Sequence, residues 1–197
     1  MTSSLRSVCV FCGSRSGGNP SYSVAARDVG ALIASQDWRL VYGAGDVGLM
    51  GEVARAALAA GALTLGVIPT HLLAREKGKR DLTTLIITEN MHERKKVMFM
   101  NSDAIVVMPG GGGSLDEFFE VLTWAQLGLH EKPIFLLNTD NYWEPLIYLL
   151  DHVIEQGFAD ASIRGHFVVV DDVYELSAGL LAAFEWILPE KARHSFP

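Results

Sequence analysis

Residues 109 to 117 run Pro109-Gly110-Gly111-Gly112-Gly113-Ser114-Leu115-Asp116-Glu117, a glycine run that ends on an acid. An apolar run, Ala104 to Met108, precedes it and reads as a buried strand. Phe118, Phe119, Val121, Leu122 and Ala125 follow at helical spacing. A glycine turn between a strand and a helix start gathers free backbone N–H groups and the positive end of the helix dipole, a good seat for a phosphate. Glycine has no Cβ to hold an anion away. Glu117 lies one turn into the same helix, so the pattern points to chemistry on a phosphorylated small molecule. Ser114-x-x-Glu117 also has the form of a capping box, although capping requires none of the four glycines.

Other segments bear on the same chemistry. Gly43-x-Gly45-x-x-Gly48 has the spacing of a dinucleotide fingerprint. It follows the second strand rather than the first, and no acid ends the next strand to hold a ribose, so it reads as one wall of a mononucleotide site. Arg94-Lys95-Lys96 falls near the start of a helix over 91–100, where cations oppose the helix dipole. Position alone leaves two readings open, a solvated basic face or an anion site. Cys9-x-x-Cys12 precedes a long loop, not a helix, and lacks a second ligand cluster, so it reads as two small apolar residues at a strand end. The six histidines form no H-E-x-x-H spacing, no serine sits in a G-x-S-x-G elbow, and the glycine run lacks the Lys-Ser/Thr of a P-loop. No metal or cofactor is expected.

The elements that must position these residues recur along the chain. Apolar runs at 8–11, 40–42, 63–68, 84–87, 104–108, 133–137 and 167–170 alternate with helical patterns such as Tyr22, Ala25, Ala26, Val29, Leu32 and Ile33. This predicts an α/β fold with a mostly parallel, doubly wound sheet of about seven strands and helices on both faces. Three polar or glycine-rich turns, at 12–18, 43–48 and 109–113, should then meet at the carboxyl edge of the sheet, where such folds bind ligands. The polar stretch 70–83 reads as a solvated loop or a lid. With 197 residues, 49% hydrophobic, and no internal break, residues 1–197 read as one domain. A net charge of −7 excludes a broad nucleic-acid or anionic-membrane footprint. No run reaches the length of a membrane span and the N-terminus lacks a signal peptide, so a cytoplasmic protein is expected.

Taken together, Gly43-x-Gly45-x-x-Gly48-Leu49-Met50-Gly51, Met91-His92-Glu93-Arg94-Lys95, Pro109-Gly110-Gly111-x-Gly113-Ser114-x-x-Glu117, and the run Leu122 to Gly128 closely resemble the LOG family of cytokinin riboside 5′-monophosphate phosphoribohydrolases. The resemblance implies a Rossmann-like fold. It also implies hydrolysis of the N-glycosidic bond of N6-substituted adenosine 5′-monophosphates, with AMP as a further substrate. The products would be free base and ribose 5-phosphate. It implies catalytic roles for Arg94 and Glu117, and substrate contacts from Glu76, Arg94, Lys95, Gly111, Gly112, Gly113, Ser114, Leu115, Asp116, Glu117 and Thr123. A homodimer without cofactor is implied as well. Two residues depart from the family pattern: Ser114 for threonine, and Ala44 for a glycine, which would cost about 1 kcal/mol if φ is positive there.

In such a reaction Glu117 would stabilise positive charge at C1′ or activate water. Arg94 would hold the phosphate, hold the ribose hydroxyls, or orient Glu117. Glu120 reads as a solvated residue or an ion-pair partner, and Met91 and Trp124 as base-pocket, interface or core residues. The competing functions are a non-catalytic nucleotide or molybdenum-cofactor carrier of the same fold, a single-strand DNA binder, which the acidic balance opposes, and a lysine decarboxylase. The last needs a Schiff-base lysine, for which Lys95 is the candidate.

Overall fold

The computed structural model describes residues 5–73 and 81–186; Glu76 and the middle of the 70–83 stretch, residues 74–80, lie outside the described residues. Each of the seven apolar runs forms a strand: β1 (Ser7–Phe11), β2 (Arg39–Tyr42), β3 (Thr64–Pro69), β4 (Thr84–Thr88), β5 (Ala104–Val107), β6 (Ile134–Leu137) and β7 (Val168–Val170). Among the described residues six α-helices accompany them: α1 (Pro20–Ser35), α2 (Gly48–Ala59), α3 (Met91–Met100), α4 (Gly112–Gln126), α5 (Glu144–Glu155) and α6 (Val173–Trp186). All neighbouring strands pair in parallel, in the order β4-β3-β2-β1-β5-β6-β7.

That order has one reversal. From β1 the chain winds outward through β2, β3 and β4, then returns to lay β5 against the free side of β1 and winds the other way. Right-handed crossovers therefore place the two runs of helices on opposite faces. Val8, Val10, Leu40, Tyr42, Ala104 and Val106 pack against α1, α2 and α6. Cys9, Phe11, Val41, Ile105, Val107 and Leu136 pack against α3, α4 and α5. Cys9 and Cys12 belong to these two different clusters, on opposite faces of the sheet, so the C-x-x-C does not pair; both thiols are free and buried.

Local chemistry sets the helix starts. Asn19 caps α1 by accepting from the Ser21 N–H at 3.1 Å, and Pro20 opens the helix. Asn90 caps α3 by accepting from the Glu93 N–H at 2.9 Å, and Glu93 accepts from the Glu89 N–H at 2.8 Å. The carboxylate in the first turn offsets the adverse placement of Arg94 and Lys95. The other end of α3 is closed by Lys132, whose Nζ donates to the carbonyls of Phe99 at 2.5 Å and Ser102 at 2.6 Å. The alternative reading of Ser114 as the N-cap of a capping box is not met: the N-cap of α4 is Gly111, three residues earlier, and Ser114 is buried in the first turn.

Candidate active site

A cleft of about 490 Å³ opens between the carboxyl ends of β1 and β5, at the reversal in strand order. It is where an open parallel sheet leaves room for a ligand, because the loops diverge there to opposite faces. The three turns singled out in the sequence meet in it: Cys12 to Gly17, Gly43, and Pro109 to Gly113. The Gly13 N–H donates to the Pro109 carbonyl at 3.0 Å, and the Gly13 carbonyl accepts from the N–H groups of Leu49 at 3.0 Å and Met50 at 3.4 Å. The first turn is thereby tied to both of the others.

Gly43 and Gly48 of the 43–48 turn are required by this assembly. A Cβ on Gly43 would stand 2.0 Å from Nη2 of Arg94, and one on Gly48, where φ is +57°, would stand 2.3 Å from the Ser14 backbone. Ala44 does adopt a left-handed conformation, with φ at 59°. Its methyl group is fully buried, and a Cβ on Gly66 would lie 2.7 Å from it. The strain of about 1 kcal/mol is thus largely offset by about 0.8 kcal/mol from one buried methyl.

The glycines at 111–113 differ in kind. A Cβ added to Gly111, Gly112 or Gly113 would meet no protein atom within 4 Å, although all three line the cleft. Packing does not require glycine at these positions; the space they leave is available to a ligand over the N-terminus of α4. Tyr142, which sequence reasoning missed, steadies the turn by donating its hydroxyl to the Gly110 carbonyl at 2.5 Å. It comes from the loop before α5, and nothing in the local pattern announces it.

Arg94 is only 5% exposed. Its Nε donates to the Val67 carbonyl at 3.0 Å and its Nη2 to the Gly43 carbonyl at 2.7 Å, so the guanidinium is fixed under the ends of β3 and β2. Of the two readings left open, the solvated face is excluded. Glu117 lines the same cleft, and its carboxylate and the Arg94 guanidinium both act on the thiol of Cys12. Burial, then Glu117, push that thiol well above its usual range while Arg94 opposes them. Cys12 is therefore a neutral thiol in the cleft wall, not a thiolate nucleophile.

The structure brings Arg94, Gly111, Gly112, Gly113, Ser114 and Glu117 to one cleft. Lys95, Leu115, Asp116 and Thr123 are not among the residues lining it. Lys95 Nζ lies 2.8 Å from Asp116 and 3.1 Å from Glu120, which makes Glu120 an ion-pair partner and joins α3 to α4. Burial pulls the Lys95 ammonium down, but its bonds to Asp116 and Glu120 carry it above the ordinary lysine value. Thr123 is exposed on α4. Met91 lines the cleft, with Leu49, Met50 and Met98 near it, and gives the α2–α3 side an apolar, thioether-rich wall. Trp124 instead packs edge-on against Phe99 at 5.0 Å. Sequence reasoning also passed over Ser14, Arg15 and Ser16, which line the cleft from the first turn. That turn was legible as glycine-rich, but no spacing rule selected a residue within it.

Comparison with known proteins places this geometry in a lineage. The profile of a family described as "Possible lysine decarboxylase" matches residues 50–180. A "Probable cytokinin riboside 5′-monophosphate phosphoribohydrolase" of Oryza sativa subsp. japonica is 44% identical over 179 residues, covering 91% of this chain and 78% of that one. A cytokinin riboside 5′-monophosphate phosphoribohydrolase of Arabidopsis thaliana is 42% identical over 174 residues, covering 88% and 81%. Among solved structures, the Moco carrier protein of Chlamydomonas reinhardtii superposes with a TM-score of 0.71 at 22% identity, covering 93% of this chain and 99% of that one. The last similarity is one of fold.

Proposed function

The chain belongs to the LOG family of cytokinin riboside 5′-monophosphate phosphoribohydrolases, and from that membership we propose that it hydrolyses the N-glycosidic bond of N6-substituted adenosine 5′-monophosphates. The observation that carries the reading is the meeting of Glu117 with the unobstructed glycines 111–113 in one cleft. The 5′-phosphate rests on the free N–H groups at the start of α4. Binding energy from the phosphate then holds the ribose near Glu117, which lies farther along the same helix.

The C1′–N9 bond breaks with its electrons passing to the base, which takes up a proton. Glu117 stabilises the oxocarbenium-like charge at C1′ and directs water to it, and the added hydroxyl completes ribose 5-phosphate. Arg94, fixed by two carbonyls, supplies a positive charge to the same cleft without needing to reorganise. The base lies toward Met50 and Met91, a wall soft enough to accept an N6 substituent.

The decarboxylase description fits less well. A Schiff-base lysine must reach the substrate as a free amine. Among the described residues no lysine lines the cleft, and Lys95 is held as an ammonium by two carboxylates. The reading takes residues 1–197 as one nucleotide-binding domain of a cytoplasmic homodimer that uses no cofactor. Met100, Leu127 and Leu129, about two-thirds exposed at the ends of α3 and α4, offer an apolar surface for a second copy. No described helix is long and apolar enough to cross a membrane.

The test is free-base release from N6-isopentenyladenosine 5′-monophosphate, AMP and the unphosphorylated riboside. Release from the monophosphates, and its loss in Glu117→Gln with nucleotide binding retained, is the expected result; the two monophosphates rank the base preference. Tight binding with no release by the wild-type protein would instead make it a carrier.

A further inference from the structure

We propose that Arg15 binds the 5′-phosphate of the substrate, facing the start of α4 across the cleft. The inference rests on the nucleotide reading of the site and adds to it a cation that neither the family motifs nor the sequence pattern selects. A phosphate dianion in a protein of net charge −7 needs a counter-charge beyond backbone dipoles. Neither cation of the M-x-x-R-K motif is well placed to provide it. Arg94 is buried with two of its donors committed to carbonyls, and Lys95 is bound to Asp116 and Glu120 and does not line the cleft.

Arg15 meets the requirement. It lines the cleft, it is exposed, and among the described residues its guanidinium has no hydrogen bond or ion pair. Its loop is held directly across from the glycine turn. The Gly13 N–H bonds to the Pro109 carbonyl at 3.0 Å, and a Cβ on Gly13 would lie 3.3 Å from Gly110 Cα. The loop is also firmly seated, since a Cβ on Gly48 would come within 2.4 Å of the Arg15 backbone nitrogen. A guanidinium presented from a fixed loop matches a phosphate with two parallel N–H donors, so its removal is felt mainly in affinity.

Arg15→Ala and Arg15→Lys are compared with wild type in two measurements. Calorimetric binding of AMP and of adenosine needs no turnover, and steady-state hydrolysis of N6-isopentenyladenosine 5′-monophosphate separates KM from kcat. Expected for Arg15→Ala is an AMP affinity weakened by about ten- to hundredfold and a KM raised by a similar factor. Adenosine binding should stay within about threefold, with Arg15→Lys intermediate in affinity. Equal weakening toward AMP and adenosine, or unchanged AMP affinity, overturns the assignment. If the wild type binds AMP but releases no base, the hydrolase reading fails while the calorimetry still decides whether Arg15 holds the phosphate.

Discussion

Arg94 ties two strands together with the same guanidinium that it presents to the cleft. Its Nε and Nη2 satisfy the carbonyls of Val67, in β3, and Gly43, just after β2, and both residues are buried. Arg94→Ala should therefore abolish hydrolysis and also lower stability, by about 2–4 kcal/mol for two carbonyls left without donors. Urea unfolding run beside the activity assay checks this; an inactive variant with wild-type stability would mean that the carbonyls find other donors. Gly43 is explained by the same contact, because a side chain there would displace the guanidinium. The Arg-Lys pair was legible in the sequence, but not the division of labour within it. Arg94 turns under the cleft, whereas the next residue, Lys95, turns toward α4.

At the scale of elements, α4 does most to define the site, because its first turn lines the cleft and Glu117 follows on the same helix. Lys95 joins α3 to it, and because the bonds to Asp116 and Glu120 raise the lysine above its ordinary value, this stabilisation is complete at neutral pH. It is lost only as pH rises through the raised value, beyond the ordinary lysine range. The glycines of the first turn separate stability from function. Gly113 has an ordinary helical position and open space where a Cβ would go. Gly113→Ala should stabilise the protein by about 0.5–1 kcal/mol through helix propensity while raising KM for the nucleotide several-fold. Thermal unfolding and steady-state kinetics check the two halves; an unchanged KM would place the phosphate away from the start of α4. The extra turn at the beginning of α4 was hidden in the sequence because glycine is a poor helix former, and the dipeptide Gly112-Gly113 reads locally as loop.

For the whole molecule, the single reversal in strand order both creates the cleft and divides the core between two faces. One side chain far from the cleft makes the fold sensitive to acid. The His130 Nε2 lies 2.9 Å from the Val121 carbonyl, and its Nδ1 accepts from the Lys132 N–H at 3.1 Å, a network that assigns the proton to Nε2 in the neutral ring. Burial holds His130 below its ordinary value of 6.5, and the charges of Lys132 and His166 add to the effect despite the bond to Val121. Below pH 6.5 the unfolded chain takes up the proton before the folded one, so stability should fall as pH drops through this range. Unfolding free energies measured from pH 7.5 to 5 should show a shallower decline in His130→Phe than in wild type; equal slopes would remove His130 from the acid response. The sequence by itself determined the seven strands, their parallel burial, the glycine turn and its acid, because each is written in residues adjacent along the chain, as periodicity or as backbone permissiveness. Only the tertiary structure decided that Arg94 lies beneath Gly43, 51 residues away, that Tyr142 braces Gly110 from 32 residues away, and that the Arg15 loop closes on the glycine turn. Those contacts depend on which strands become neighbours, and strand order arises from packing the helices on two faces rather than from any local pattern.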